Sequence, residues 1–215
     1  MLTNDRHSEL VNLFHQGARL EYEKGEFVVR PGGTPPGVFY IVSGLVKAYD
    51  ITKYGEENLL IIRHTGEVLG LTWAITGEHR QIIYATLAPT VLLQISRKQF
   101  TDFLHSNPKA ALPLIDMLVD MYKVHSERIL NLEYRTVRER LVSFLLTYAR
   151  RFGQQTDEGL MIDVPLRHQD IASSISATRE TTGRELSALE KQGLLANAHS
   201  RIILKDMAKL QAHLE

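Results

Sequence analysis

The chain has 215 residues, with 25 Lys+Arg against 25 Asp+Glu and a formal net charge of zero. That length allows one or two domains with a sizeable core, and the even balance argues against indiscriminate coating of nucleic acid. Cysteine is absent, which excludes disulfides, thiol switches, Cys-ligated zinc and Cys-ligated iron–sulfur clusters.

No secretory signal and no membrane-length apolar run are seen, so a cytoplasmic protein without a membrane partner is expected. The nine histidines form neither His-x-His nor His-x-x-x-His, and no carboxylate cluster accompanies them, so no metal site is expected. No P-loop, nucleophile elbow or dinucleotide fingerprint occurs, and the chain does not read as an enzyme. A haem held by a single His would leave little trace.

From Ala18 to about Ser96 the chain alternates short apolar or β-branched runs with Gly-centred turns. Strands are predicted at 26–30, 38–42, 45–49, 58–62, 82–86 and 91–95, with turns near Gly25, Gly32, Gly44, Gly55, Gly66 and Gly77. Many short strands at this spacing predict a sandwich or jelly roll.

Asn107-Pro108 and Pro113 then mark the start of a long helix reaching about Leu132. Along it Ile115, Leu118, Tyr122, His125, Ile129 and Leu132 follow alternating steps of three and four, a heptad seam with one polar member. A second stripe, Leu114, Met117, Met121 and Val124, runs beside the first. A helix with two apolar stripes must bury both. The economical solution seats one on its own roll and pairs the other with a second copy, giving a twofold dimer. Burial within a monomer is the alternative. His125 reads either as a polar register-setter or as a group sensing pH or an effector.

Thr136-Val-Arg-Glu139 is a capping box opening another helix, whose Val137, Leu141, Phe144, Leu145 and Tyr148 form one apolar stripe. Residues 132–135 are therefore the expected hinge. The expected domains are 1–106, the roll; 107–135, the dimerisation helix and hinge; and 136–215, the part that follows. Residues 135–215 carry 12 Lys+Arg against 10 Asp+Glu, whereas 1–134 carry 13 against 15. The second part is the more basic, but only mildly, so affinity would lean on paired sites and base readout.

Within 166–195 two short amphipathic helices are joined by a tight turn. Ile171, Ala172 and Ile175 make the buried face of the first. Thr178 caps the second, Thr182, Leu186 and Leu189 turn inward, and Gly193 ends it. Arg179 and Glu180 open its outward face, and Arg184 returns one turn later beside Glu180. An Arg fork suits guanine O6/N7 and a carboxylate suits the cytosine amine, so this face can read a G·C-rich step in the major groove. A solvated Glu180–Arg184 ion pair is the bland alternative. Two short strands around Asn197-Ala198-His199-Ser200 then form a wing, where His199 or Arg201 could reach a phosphate. A short helix over 207–214 closes the chain.

Arg179-Glu-Thr-Thr-Gly-Arg184, followed by Leu186-x-x-Leu-Glu-x-x-Gly-Leu194, closely resembles the winged-helix half of the CRP/FNR family of bacterial transcription regulators. The Gly25, Gly32 and Gly44 layout resembles that family's cyclic-nucleotide-binding roll. The resemblance implies an α+β chain: an N-terminal double-stranded β-helix or jelly roll, a long dimerisation helix and a C-terminal winged helix-turn-helix. It implies a homodimer on palindromic DNA with TGTGA-like half-sites, and RNA polymerase as a partner. Arg179, Glu180 and Arg184 match residues that touch bases; Gln169, Thr178 and Thr181 match residues that touch phosphates or support the helix. Cyclic-AMP binders of the family carry Gly-Glu-Leu and, further on, Arg-Ser. Here the run is Gly70-Leu71-Thr72-Trp73, then Arg80-Gln81, so the ribose-binding carboxylate is replaced by Leu71. An effector other than cyclic AMP, or none, is expected. Its pocket would fall among Leu71, Thr72, Trp73, Arg80, Gln81, His125 and Ser126, the last two matching a Thr-Ser pair that reaches the ligand base. Trp73 and Arg80 also have plain readings, as core packing and as a hairpin-loop surface residue. A haem or small-molecule sensor without sequence-specific DNA output is the rival reading.

Overall fold

The computed structural model describes residues 5–79, 81–198 and 200–214. The chain falls into two compact units, residues up to Ile51 with Leu60–Met121, and Thr52–Leu59 with the chain from Tyr122 onward.

The first unit holds α1 (Asp5–His15), β1 (Ala18–Tyr22), β2 (Phe27–Val29), β3 (Val38–Ser43), β4 (Leu45–Ile51), most of β5 (Glu57–His64), β6 (Val68–Leu69), α2 (Leu71–Thr76), β7 (Ile83–Thr86), β8 (Thr90–Ile95) and α3 (Arg97–Ser106). The strands make two four-stranded sheets, ordered β1-β8-β3-β6 and β2-β7-β4-β5. Period-two alternation sorts their side chains. Phe39 and Ile41 join Val28, Val29, Val46, Leu69 and Leu92 in one cluster inside the roll. Val38, Leu93 and Ile95 point the other way, where Leu10, Leu13 and Phe14 of α1 and Phe100 of α3 cover them. The β3–β4 turn needs Gly44: its φ is +101°, and a Cβ there would lie 2.4 Å from Thr90 Oγ1.

A 3-10 turn over Pro108–Ala111 leads into α4 (Leu112–Tyr134), with Pro113 tolerated in the first turn. One face of α4 turns inward through buried Leu114 and through Met117, which packs with the α1 cluster. The other leaves Ile115, Leu118, Tyr122 and Ile129 exposed, Tyr122 at 72% and Ile129 at 63%. His125 and Leu132 are half-buried.

The second unit continues with α5 (Val137–Phe152), β9 (Gly153–Thr156), β10 (Gly159–Ile162), α6 (His168–Ser174), α7 (Arg179–Lys191), β11 (Leu195–Ala198), β12 (Arg201–Leu204) and α8 (Met207–Gln211). Its sheet runs β11-β12-β10-β9, and α5 packs on β10, α7 and α8. Leu141, Leu145, Ile171, Leu186, Leu189 and Ile202 are all buried. The capping box of α5 forms: Thr136 Oγ1 and the Thr136 N–H both donate to Glu139 Oε2 at 2.7 Å. These bonds from Thr136 hold the Glu139 carboxyl below the usual carboxylate range.

A polar network joins the second half of α4 to α5. Glu127 accepts from Ser143 Oγ at 3.1 Å, and from Thr147 Oγ1 and Arg150 Nη2 at 3.2 Å each. Buried Asn131 donates to Ser143 Oγ at 2.7 Å. Every member of the network has a partner: Asn131 and Ser143 are buried, while Glu127 and Arg150 also reach water.

Candidate nucleic-acid interface

Helix α7 begins where Thr178 accepts from the Thr181 N–H at 3.1 Å, satisfying one of the free donors of its first turn. Thr182, Leu186 and Leu189 turn into the core, so the opposite face, Arg179, Glu180 and Arg184, is exposed. Among the described residues no ion pair joins Glu180 to Arg184. Arg184 Nη2 instead donates to Thr181 Oγ1 at 3.2 Å, and Thr181 Oγ1 in turn accepts from Thr178 Oγ1 at 3.1 Å. The cap therefore also orients the guanidinium.

The turn before α7 is tight. Ser176 adopts φ +51°, and the Ala177 N–H reaches back to Ala172 O at 3.0 Å. A left-handed residue closing a helix in this way satisfies its last carbonyls and redirects the chain. Helix α6 is fixed at its start by Arg167, which grips the buried Asp170 carboxylate with Nε at 2.9 Å and Nη2 at 2.7 Å. The bonds to Asp170, with Glu57 adding to them, raise the Arg167 pKa still further above its ordinary value. His168 and Gln169, between the clamped residues, are exposed.

His168, Glu180, Gly183, Arg184, Ser187, Ala188 and Lys191 line an open groove of about 510 Å³ along α7. Arg184, Glu180, Lys191 and His168 place donors and an acceptor on one concave surface, the chemistry that phosphate and base edges need. His168, Ser187 and Lys191 were not singled out from the sequence. An i+3 or i+4 step from Arg184 along the predicted helix would have found Ser187, and a further step Lys191; His168 needed the helix packing.

The wing carries a different arrangement. Arg201 Nε donates to Asp163 Oδ1 at 2.6 Å, while Asp163 Oδ2 accepts from Gln154 at 2.7 Å. Arg201 thus ties the wing to the β10 end, and Ser200 completes the β11–β12 turn at φ +70°. His199 and Arg80 lie outside the described residues.

The expected effector residues divide between the units. Leu71 is buried against the cluster under α1, Trp73 packs on the same cluster beneath Arg97, and Thr72 and Gln81 are exposed. Leu71 therefore presents no acceptor, and its methyls are committed to the core. His125 and Ser126 are half-buried on α4. Among the described residues no His, Asp or Glu grouping could hold a metal, and no helix is long and apolar enough to cross a membrane.

Comparison with known proteins matches residues 19–107 to the cyclic nucleotide-binding domain and residues 139–213 to the Crp-like helix-turn-helix domain. The chain is similar to the global nitrogen regulator of Synechococcus elongatus, 30% identical over 184 residues, covering 85% of this chain and 83% of that one. It is 25% identical over 194 residues to the fumarate and nitrate reduction regulatory protein of Escherichia coli, covering 89% and 77%. In three dimensions a CooA variant from Carboxydothermus hydrogenoformans superposes over 100% of this chain and 98% of that one, with a TM-score of 0.80 and 23% identity.

Proposed function

The chain belongs to the CRP/FNR family of transcription regulators, and from that premise we propose that it acts as a homodimer on palindromic DNA with TGTGA-like half-sites. In this reading α7 of each copy enters the major groove, where Arg179, Glu180 and Arg184 meet base edges. Gln169, Thr178 and Thr181 hold the flanking phosphates or support the helix, with His168 and Lys191 beside them. The observation that carries the reading is the exposed face of α7, with Arg184 oriented by Thr181 rather than paired to Glu180.

The exposed Ile115, Leu118, Tyr122 and Ile129 of α4 support pairing of two copies along that helix, with His125 and Leu132 in the same seam. A bare apolar row of this length is otherwise costly in water. Residues 1–106 then sense, 107–135 pair the copies, and 136–215 read DNA. Buried Leu71 supports an effector other than cyclic AMP, or none. Membership of this family supports a cytoplasmic protein with RNA polymerase as its further partner.

Two measurements test this. Light scattering of the purified protein gives a dimer, and Ile129→Glu a monomer with unchanged helix content. Fluorescence anisotropy shows binding to a TGTGA palindrome at least about a thousandfold tighter than to a scrambled duplex. A wild-type monomer, or equal affinity for both duplexes, refutes the reading.

A further inference from the structure

A carboxylate beside a phosphate-binding surface should weaken DNA binding, yet one stands at the foot of the wing. Asp163 follows β10 and is fixed there by its own N–H, which donates to Phe152 O at 3.0 Å. Its side chain is 32% exposed. Oδ2 accepts from Gln154 Nε2 at 2.7 Å, and Oδ1 from Arg201 Nε at 2.6 Å. Arg201 opens β12, and the carbonyl of its neighbour Ser200 accepts from the Leu166 N–H at 3.0 Å. That bond sets the turn of the wing beside the segment leading into α6, whose first residues His168 and Gln169 are exposed.

The way Arg201 is gripped decides what it can still do. A carboxylate held by both Nε and an Nη would use up the guanidinium fork. Here the grip is through Nε alone, and among the described residues Arg201 has no other partner. Both Nη groups keep their donors, on a side chain that is 41% exposed. Gln154 occupies the second oxygen of Asp163, which keeps that carboxylate from turning to close on them. A fork held by its stem and open at its tip suits a phosphate, which it meets bidentately.

We propose that Asp163 is a positioning residue for DNA: backed by Gln154, it holds Arg201 so that both Nη groups meet a backbone phosphate beside the wing. The inference rests on the DNA-reading role of α7 and adds a phosphate contact outside that helix. Two effects of Asp163 oppose each other. Its charge, set behind the guanidinium at roughly a Debye length from the phosphate, costs less than about twofold in affinity. Its bond orders a side chain of many rotamers before DNA arrives, which is worth about three- to tenfold per contact. Ordering wins, so an acidic residue strengthens binding to a polyanion.

The test measures fluorescence anisotropy of the full-length protein on the palindrome and on a scrambled duplex. Asp163→Ala makes the protein more basic, so charge alone would tighten binding. Positioning gives the reverse, a loss of about tenfold or more over two half-sites. The loss is equal on both duplexes, because a phosphate carries no sequence. Asp163→Asn keeps an acceptor for Nε and should stay within about threefold of the wild type. Arg201→Ala should lower the salt slope by roughly 2, about 0.9 per phosphate. On that background Asp163→Ala should cost nothing further. Binding by Asp163→Ala as tight as that of the wild type, or tighter, overturns the proposal. So does an Asp163→Ala loss that persists in full without Arg201, or a salt slope that Arg201→Ala leaves in place. The slope is read on a protein that keeps Asp163, so it stands even if Asp163→Ala folds poorly. A wild type that binds neither duplex strikes the premise about α7 itself, whereas each of the other adverse results strikes the wing contact alone.

Discussion

Replacing Arg184 by alanine isolates the reading of sequence from the attraction of charge. The side chain is exposed and its protein contact is the 3.2 Å bond to Thr181 Oγ1, so its removal should alter fold stability by no more than about 0.5 kcal/mol. In the complex a bidentate guanidinium–guanine pair is worth about 1–3 kcal/mol of discrimination. Two half-sites make that about 2–6 kcal/mol, or a loss between roughly 30-fold and 20,000-fold in affinity. Anisotropy titrations against the palindrome and a scrambled duplex, each over a salt series, give the assay. A base-reading Arg184 costs affinity on the palindrome alone and leaves the salt slope in place. A phosphate-binding Arg184 weakens both duplexes equally and lowers the slope by roughly 2, about 0.9 per phosphate. The second pattern refutes the assignment of Arg184 to base edges. Thr181→Val should give a smaller, intermediate loss on the palindrome, because it removes the oxygen that orients the guanidinium without removing the guanidinium.

Thr136→Ala should destabilise the second unit by about 1 kcal/mol in urea titration, the usual cost of a lost N-cap. Thr136 holds the Glu139 carboxyl below its ordinary range. The part owed to the Thr136 Oγ1–Glu139 bond is complete above the unfolded pKa and lost as pH falls through the folded one, so the gap between wild type and variant should narrow in strong acid, while the cap bond from the Glu139 N–H keeps it from closing. Ser176→Gly should stabilise by about 0.5–1 kcal/mol in thermal melts, since φ +51° costs a side chain more than glycine loses in chain entropy. Leu145→Ala should cost about 2–5 kcal/mol by the same melts, since this side chain of α5 is fully buried.

Where local chemistry decided the outcome, the sequence could be read closely. The α5 capping box, the Thr178 cap and the inward Thr182, Leu186 and Leu189 all lie where spacing put them, because each rests on contacts within a few residues. The six predicted strands also form, with ends shifted by a residue or two. Strand β1 alternates apolar Ala18, Leu20 and Tyr22 with charged Arg19 and Glu21, a period-two signal as legible as the others, whereas β6 is two residues long and has no pattern to detect. Helix α3 was missed although Ser96 and Gln99 make a full capping box, a signal available and overlooked. The hairpin β9–β10 is rich in glutamine and exposed, and only its pairing with β12 identifies it. At the interface the α7 face follows from periodicity alone. The Arg167–Asp170 clamp is a local contact three residues long, whereas the Arg201–Asp163 bond and the entry of His168 into the groove depend on tertiary packing that no sequence spacing encodes.

The two hydroxyls that hold the Glu127 carboxylate, on Ser143 and Thr147, are one helical turn apart on α5. Slippage of α5 by a fraction of a turn would break both bonds together and leave the carboxylate to Arg150 and water. Such a joint has notches. It resists small sliding and yields only by a discrete jump, so a signal crossing it would emerge as a click rather than a gradient.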